Sequence, residues 1–130
     1  MLSFDERDDR FTIKPSTIPG AGNGLFSKVL LAEEDRLEVI GVLIPADSVS
    51  DLCTSYADCY KFRIGDQLLI PIGYGGMVNH SSQPNLEKVC DGQRLYLKAT
   101  RPIHPGEELL FTYSDRFFEI TKNAPGSFSR

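Results

Sequence analysis

The sequence predicts a mostly β domain of roughly eight short strands with one or two short helices. Two turns typical of β-hairpins, Gly65-Asp66 and Asp91-Gly92, each separate two predicted strands. Runs that are rich in β-branched residues, or that alternate between apolar and polar residues, recur between breaks at glycine and proline. At 130 residues the chain has room for one hydrophobic core, so we expect one domain.

Each predicted strand has a local cause for its boundary. Pro15 ends the first strand and Pro45 ends the third, because proline cannot donate to a strand ladder. In the seventh strand, over residues 93–99, Leu95, Leu97 and Ala99 alternate with Tyr96 and Lys98. The predicted strands cover residues 11–14, 25–27, 37–44, 60–64, 67–72, 85–90, 93–99 and 109–113.

One helix and two terminal segments complete the predicted organisation. The helix is expected over residues 50–60, with Ser50 as its N-cap and with residues at i, i+4 and i+8 on one face: Leu52, Tyr56 and Tyr60. The domain is expected to cover residues 11–118. A charged lead-in, residues 1–10, precedes it, and a tail, residues 119–130, follows it.

Charge and cysteine content exclude several classes of protein. A net charge of -4 argues against a protein that binds nucleic acid through phosphates, or one that binds an anionic membrane, and suits a basic partner. Three cysteines without a C-x-x-C pair imply neither a disulfide framework nor a zinc site, so we expect buried thiols in a reducing compartment. The first ten residues are too charged for a signal peptide, and no apolar run is long enough to span a membrane. We expect a soluble, intracellular protein, cytoplasmic if bacterial and nuclear if eukaryotic or viral.

The stretch from Gly75 to Asn85 is the strongest candidate for a functional site. Gly75 and Gly76 allow the backbone to approach a ligand closely, and Met77-Val78 has the character of a buried anchor. The following Asn79-His80-Ser81-Ser82 run offers amide, imidazole and hydroxyl groups in succession. A turn that simply joins two strands is the alternative interpretation.

Three separated pieces of the chain resemble, in the same order, the SET domain family of protein lysine methyltransferases. They are Gly22-Asn23-Gly24-Leu25-Phe26, Asn79-His80-Ser81-Ser82-Gln83-Pro84-Asn85, and Gly106-Glu107-Glu108-Leu109-Leu110-Phe111-Thr112-Tyr113. The corresponding family patterns are G-x-G-x-F, N-H-S-x-x-P-N and G-E-E-L-x-x-x-Y. The chain resembles a minimal form of the family, which is expected to have neither the region that precedes the domain in other members nor the cysteine cluster that binds zinc after it. No metal is therefore expected.

The resemblance implies a fold of small curved sheets in which the C-terminal part of the domain passes through a loop to form a pseudoknot. It implies a cleft for S-adenosylmethionine on one side, a channel for the substrate lysine on the other, and Tyr113 where the two meet. Tyr113 is the implied catalytic residue, with a second hydroxyl from Tyr60 or Tyr56. The implied cofactor-binding residues are Gly22, Asn23, Gly24, Asn79, His80 and Tyr113, with Phe117 or Phe118 stacking on the adenine.

Several single residues keep a simpler interpretation beside the functional one. His80 is expected to make structural and cofactor-side bonds rather than act as a general base. Glu107 and Glu108 are expected to be turn charges or partners of Arg94 or Arg101. His104 is expected to be an exposed turn residue.

By resemblance, the expected function is S-adenosylmethionine-dependent methylation of the ε-amine of a lysine. The expected partner is a lysine-containing protein or a basic peptide, such as a histone or a ribosomal protein, and a homodimer is a further hypothesis. In-line methyl transfer needs positioning and exclusion of water, and it needs a neutral amine, which an apolar channel and a nearby cation favour. The alternative is a non-catalytic SET-like module that binds a peptide or a protein.

Overall fold

The fold, seen in a computed structural model that describes residues 8–112, consists of ten short strands in four small sheets. The predicted mostly β class is confirmed. One α-helix, α1 (Val49–Cys53), and two 3-10 turns, Ser55–Ala57 and Tyr74–Met77, accompany the strands. The strands are β1 (Phe11–Pro15), β2 (Asn23–Ser27), β3 (Arg36–Glu38), β4 (Gly41–Pro45), β5 (Phe62–Ile64), β6 (Gln67–Pro71), β7 (Asn79–His80), β8 (Leu86–Asp91), β9 (Arg94–Ala99) and β10 (Leu110–Phe111).

Three of the sheets are antiparallel, and the fourth is a parallel pair. The antiparallel sheets have the strand orders β1-β2, β3-β9-β8 and β4-β6-β5, and β10 lies parallel to β7. The parallel pair brings two pieces that are far apart in sequence side by side, which is the part of the predicted pseudoknot that lies within residues 8–112.

Both predicted hairpins are present, and one differs by a residue. Ile64 pairs with Gln67, so Gly65-Asp66 is the two-residue turn between β5 and β6 as predicted. In the second hairpin Asp91 pairs with Arg94, so the turn is Gly92-Gln93 rather than Asp91-Gly92. Gly65 (φ 61°) and Gly92 (φ 63°) each occupy the first turn position, where a type II′ turn needs a positive φ. The glycine therefore determines the register.

The core lies between the sheets, and β9 runs through it. Leu95, Leu97 and Ala99 point inward while Tyr96 and Lys98 are partly exposed, as the alternation predicts. Other large buried core residues come from every sheet: Phe11, Leu25, Phe62, Val78, Leu86, Ile103 and Leu109.

The strand predicted over residues 37–44 is in fact two strands in different sheets. β3 pairs with β9, whereas β4 pairs with β6, and the chain changes sheet between them. Gly41 makes the change possible, because a Cβ at this position would lie 2.0 Å from the carbonyl oxygen of Ile70. An apolar pattern along the sequence does not reveal which strand each half of residues 37–44 will pair with.

The helix predicted over residues 50–60 ends early. Its N-cap is Ser48 rather than Ser50, and Ser48 Oγ accepts a hydrogen bond from Asp51 N at 3.2 Å. The carbonyl of Asp51 accepts from Thr54 N and from Lys61 Nζ, so it does not continue an α-helical ladder. The residues predicted to share one helix face are exposed, with Tyr56 80% and Tyr60 50% exposed.

The cysteines are not the buried thiols that the sequence suggests. Cys53 and Cys90 are exposed, and Cys59 is partly exposed; all three are free. Cys53 ends the short helix, and Cys90 lies near the tip of the β8–β9 hairpin. Both positions therefore belong to the surface. Among residues 8–112 no helix is long and apolar enough to cross a membrane.

Candidate functional site

The candidate site lies where the parallel pair of β7 and β10 meets the start of β2. Asn79 pairs with Leu110, and His80 pairs with Phe111. The anchor before them is confirmed, since Val78 is buried and Met77 packs against the core. Gly75 differs from expectation, because it is buried and a Cβ there would lie 2.9 Å from Val39 Cγ2. The close approach at Gly75 is therefore to the core, not to a ligand.

Asn85 attaches the other end of the same loop to β10. Asn85 is 2% exposed, and both ends of its side-chain amide are hydrogen-bonded. Nδ2 donates to Glu108 O at 2.9 Å, and Oδ1 accepts from Leu110 N at 2.8 Å. Asn85 N also donates to Leu110 O at 3.0 Å. A buried amide with all its partners specifies one arrangement of backbone. The loop of residues 79–85 thus holds β10 from both of its ends.

Asn79 connects this loop to the glycine loop. Its Nδ2 donates to Asn23 O at 3.0 Å and to Glu108 Oε2 at 3.1 Å. A Cβ on Gly24 would lie 2.2 Å from Glu108 Oε2 and 3.1 Å from Asn79 Nδ2, so only glycine fits there. The structure therefore brings together Asn23, Gly24 and Asn79, three of the residues predicted for the cofactor site.

Gly22 lies on the outer side of the glycine loop, next to Asn23 in the chain. It has a φ of 73°, and a Cβ added to it would meet nothing within 4 Å, so its outer side is open. Ser16 N donates to Gly22 O at 2.8 Å, which closes the base of the glycine loop. The backbone of this loop is thus fixed on one side and accessible on the other.

Glu108 is the functional candidate that sequence reasoning missed. The residue is 6% exposed, and its carboxylate accepts hydrogen bonds from Ser16 Oγ (2.8 Å), Thr17 N (2.9 Å), Thr17 Oγ1 (2.6 Å) and Asn79 Nδ2 (3.1 Å). The expectation of a turn charge was wrong for Glu108, and it is confirmed for Glu107, which pairs with Arg101 at 3.3 Å. The available signal was a second acidic residue just before a buried strand.

Hydrogen bonding keeps Glu108 ionised. Burial alone would raise the pKa of its carboxyl, but the bonds from Thr17, Ser16 and Asn79 outweigh burial and hold the pKa below its ordinary value. A fixed negative charge therefore lies beneath the contact between Asn79 and the glycine loop.

Acid is expected to remove the stability that Glu108 contributes. Because its folded-state pKa is lowered, the contribution is complete above the ordinary glutamate pKa and is lost as the pH falls through the folded value. We expect Glu108→Gln to be less stable than wild type by about 1–3 kcal/mol at pH 7, and the difference to shrink as the pH falls below the ordinary glutamate pKa. Urea unfolding of both proteins at pH 7 and at a series of lower pH values is the measurement. A difference that stays constant down to the pH at which acid alone unfolds the wild type would contradict the assignment.

His80 is partly buried beside Phe111 in the parallel pair. Burial lowers the pKa of its imidazole, so the ring is neutral at pH 7. A neutral imidazole offers one donor and one acceptor and no positive charge. This property suits the structural and cofactor-side role predicted for His80.

Tyr60 lies in a different part of the structure from the glycine loop. An open groove of about 810 Å³ separates the β4-β6-β5 sheet from the segment that contains α1, and its lining is mostly apolar. The residues along it include Val42, Ile44, Tyr56, Tyr60, Ile70 and Met77. Gly22, Asn23, Gly24, Asn79 and His80 are not part of this lining. Gly76 and Met77 connect the groove to Asn79 through the chain.

Three predicted site residues, Tyr113, Phe117 and Phe118, lie outside the described residues. Thr112, the last residue described, donates from Oγ1 to Ser81 O at 2.7 Å. The chain thus reaches residue 112 directly beside the loop that carries Asn79 and His80. In the described range, no group of three or more His, Cys, Asp or Glu side chains is arranged to hold a metal ion.

Comparisons with known proteins agree with this architecture. The SET domain family model matches residues 22–114. Mouse SMYD3, a histone-lysine N-methyltransferase, is 36% identical over 72 residues, which are 50% of this chain and 17% of SMYD3, so the match spans a small part of that relative.

Two solved structures show the same fold. The polycomb repressive complex 2 of Chaetomium thermophilum, in an autoinhibited conformation bound to S-adenosylmethionine, contains a chain with a TM-score of 0.72 and 23% identity. The match covers 86% of this chain and 16% of that one. A candidate histone methyltransferase of Plasmodium falciparum has a TM-score of 0.61 and 23% identity, over 82% of this chain and 94% of that one.

Proposed function

The chain belongs to the SET domain family, and from this membership we propose that it is an S-adenosylmethionine-dependent protein lysine N-methyltransferase. The observation that carries the proposal is the junction of the two motif loops, where Asn79 Nδ2 donates to Asn23 O at 3.0 Å. Members of the family use S-adenosylmethionine, and the junction joins the two segments that the family resemblance assigns to it. We further propose that the domain covers residues 11–118.

The residues at this junction fit the cofactor. S-adenosylmethionine carries an ammonium group, a carboxylate and an adenine, so its site needs both donors and acceptors at close range. The accessible backbone of the glycine loop, the amide oxygen of Asn79 and the neutral ring of His80 provide such groups. When bound, the cofactor supplies an electrophilic methyl group.

The remaining roles follow from position and chemistry. We assign Tyr113 to orienting the substrate amine, because it follows Thr112, whose hydroxyl is bonded to Ser81 O. The apolar groove suits the substrate side, since a dry channel favours the neutral amine that must attack. Tyr60 and Tyr56 are the tyrosines that line the groove, and we assign Tyr60 as the second catalytic hydroxyl.

We propose a lysine-containing protein or a basic peptide as the substrate. SMYD3 is named for histone lysine, and a histone is therefore the first class to test, with ribosomal proteins as the second. The net charge of -4 favours a basic partner. A homodimer that completes the groove is a further proposal, and light scattering at micromolar concentration that finds single chains would contradict it.

Two variants separate cofactor binding from turnover. Asn79→Ala is expected to weaken binding of S-adenosylmethionine about tenfold, because it removes an amide that fixes the junction. Tyr113→Phe is expected to lower turnover about tenfold while binding is mostly kept, because it removes one hydroxyl at the amine. The measurements are isothermal titration with S-adenosylmethionine and S-adenosylhomocysteine, and a methyl-transfer assay on basic peptides.

The opposite outcomes are informative. Equal loss of binding in both variants, or normal turnover in Tyr113→Phe, would contradict the assigned roles. If folded wild-type protein gives no heat at millimolar cofactor, the enzyme proposal fails, and the non-catalytic peptide-binding module becomes the better account of the groove.

A further inference from the structure

We propose that Glu108 is a positioning residue, which orients the side-chain amide of Asn79 so that its oxygen, and not its nitrogen, is presented to the ligand. The inference rests on the proposed function and goes beyond it, because it states that Asn79 presents a hydrogen-bond acceptor, rather than a donor, to the cofactor. It predicts that Asn79 meets an N–H donor of the ligand, such as an ammonium group.

The orientation of Asn79 follows from the chemistry of its two neighbours. Nδ2 faces Asn23 O at 3.0 Å and Glu108 Oε2 at 3.1 Å. A backbone carbonyl accepts hydrogen bonds and cannot donate, and an ionised carboxylate has the same property. A flipped amide would place its oxygen against two acceptors, so both N–H groups of Asn79 are committed to these neighbours.

The amide oxygen is consequently the group that remains. Within residues 8–112, no donor is bonded to Asn79 Oδ1, whereas the equivalent oxygen of Asn85 is bonded to Leu110 N. The oxygen is not a buried, unsatisfied atom, so it is accessible to solvent or to a ligand. Asn85 uses both its amide nitrogen and its amide oxygen to hold the backbone, while Asn79 uses its nitrogen in this way and leaves its oxygen for a ligand.

Glu108 is itself held in place by donors on its far side. Thr17 N and Thr17 Oγ1 bond Oε1 at 2.9 and 2.6 Å, and Ser16 Oγ bonds Oε2 at 2.8 Å. Two residues of the β1–β2 loop thereby fix a carboxylate that in turn fixes Asn79. The arrangement needs the carboxylate itself, because a group with a donor at the Oε2 position would repel Asn79 Nδ2.

Glu108→Gln tests this arrangement with almost no change of shape. Thr17 N can only donate, so the introduced amide must place its oxygen toward Thr17 and its NH2 toward Asn79. Asn79 must then flip or lose its bond. We expect the affinity for S-adenosylmethionine to fall about tenfold. The matched control is Glu107→Gln, because Glu107 is the adjacent glutamate and pairs with the exposed Arg101. The affinity of this variant for S-adenosylmethionine should equal that of wild type.

A double-mutant cycle distinguishes positioning from general stability. Because Glu108 acts through Asn79, Glu108→Gln should cause little further loss of affinity once Asn79→Ala is present. Additive losses in the double variant would overturn the proposal, and so would unchanged affinity in Glu108→Gln when the wild type binds.

Nuclear magnetic resonance of the ligand-free protein tests the same contact without cofactor. The side-chain NH2 of Asn79 should exchange slowly with water in wild type and in Glu107→Gln, and faster in Glu108→Gln. Fast exchange in wild type would overturn the proposal even if Glu108→Gln did not fold. If the wild type fails to bind either ligand, the proposed function fails, and the exchange rates still decide whether Glu108 orients Asn79.

Discussion

Lys61→Met is expected to lower the free energy of unfolding by about 3–5 kcal/mol. Lys61 is 0% exposed, and its ammonium donates to Asp51 Oδ1 at 2.6 Å, to Asp51 O at 3.1 Å and to the carboxylate of Asp58. Removal of the cation leaves two largely buried carboxylates facing each other without compensation. Urea unfolding at pH 7 is the measurement.

The pKa of Lys61 is shifted in a direction that keeps the side chain charged. Burial alone would lower the pKa of its ammonium, but Asp51 and Asp58 outweigh burial and raise it. The stability that depends on this raised pKa is complete below the ordinary lysine value and is lost as the pH rises through the folded value. Lys61 is therefore a cation throughout the neutral range, and the loss in Lys61→Met does not depend on pH between about 6 and 9.

Lys98→Met is the matched control. Lys98 also bonds two carboxylates, Glu34 at 3.1 Å and Glu87 at 3.0 Å, but both of these are exposed. Its loss should cost less than about 1 kcal/mol. Similar, small effects of the two variants would show that the ion pairs of Lys61 do not stabilise the fold. A triple variant, Lys61→Met with Asp51→Asn and Asp58→Asn, should recover much of the loss, because it leaves no unpaired charge.

The ion pairs of Lys61 also bear on the groove. Asp51 belongs to α1, Asp58 follows the Ser55–Ala57 turn, and Lys61 precedes β5, so one cation connects the whole segment to the sheet. This segment forms one wall of the groove that contains Tyr60. A substrate that binds in the groove would therefore meet a wall whose position depends on a buried charge.

Sequence reasoning succeeded where the determining interactions are local. The Gly65-Asp66 turn and the alternation along β9 depend on neighbours in the chain, and both are confirmed. The motif at Asn79 was identified because its unusual side chains are consecutive in the sequence. The SET resemblance added the order of three motifs, which no strand propensity contains.

The features that were missed depend on side-chain partners that lie outside the local turn of the chain. Glu108 receives bonds from Ser16 and Thr17, 92 and 91 residues away. The helix predicted over residues 50–60 ends at Cys53 in the structure. The carbonyl oxygen of Asp51 accepts a hydrogen bond from the side chain of Lys61, a contact that the helical pattern does not reveal. In both cases one buried charge selects the structure, and a residue type alone does not reveal whether its charge will be buried.

Gly24→Ala is expected to lower the affinity for S-adenosylmethionine by at least about 100-fold and the free energy of unfolding by about 1–3 kcal/mol. Alanine in a strand would ordinarily be stabilising relative to glycine. Here the added Cβ would lie 2.2 Å from Glu108 Oε2 and 3.1 Å from Asn79 Nδ2. The carboxylate cannot retreat without breaking its bonds to Ser16 and Thr17. The variant therefore displaces Glu108 and Asn79 and also shifts the backbone of the glycine loop, which is itself part of the proposed cofactor site. This additional shift of the loop is why its effect on binding should exceed that of either single substitution.

Gly20→Ala separates this contact from the general cost of changing a glycine in the same loop. Gly20 has a φ of 78°, so alanine there is strained by about 1–2 kcal/mol, but a Cβ would meet nothing within 4 Å. We expect Gly20→Ala to lose stability and keep its affinity for the cofactor, whereas Gly24→Ala loses both. Isothermal titration and urea unfolding of the two variants give the comparison. Normal affinity in Gly24→Ala would mean that the junction of Asn23, Asn79 and Glu108 is a structural contact of the fold and that the cofactor binds elsewhere.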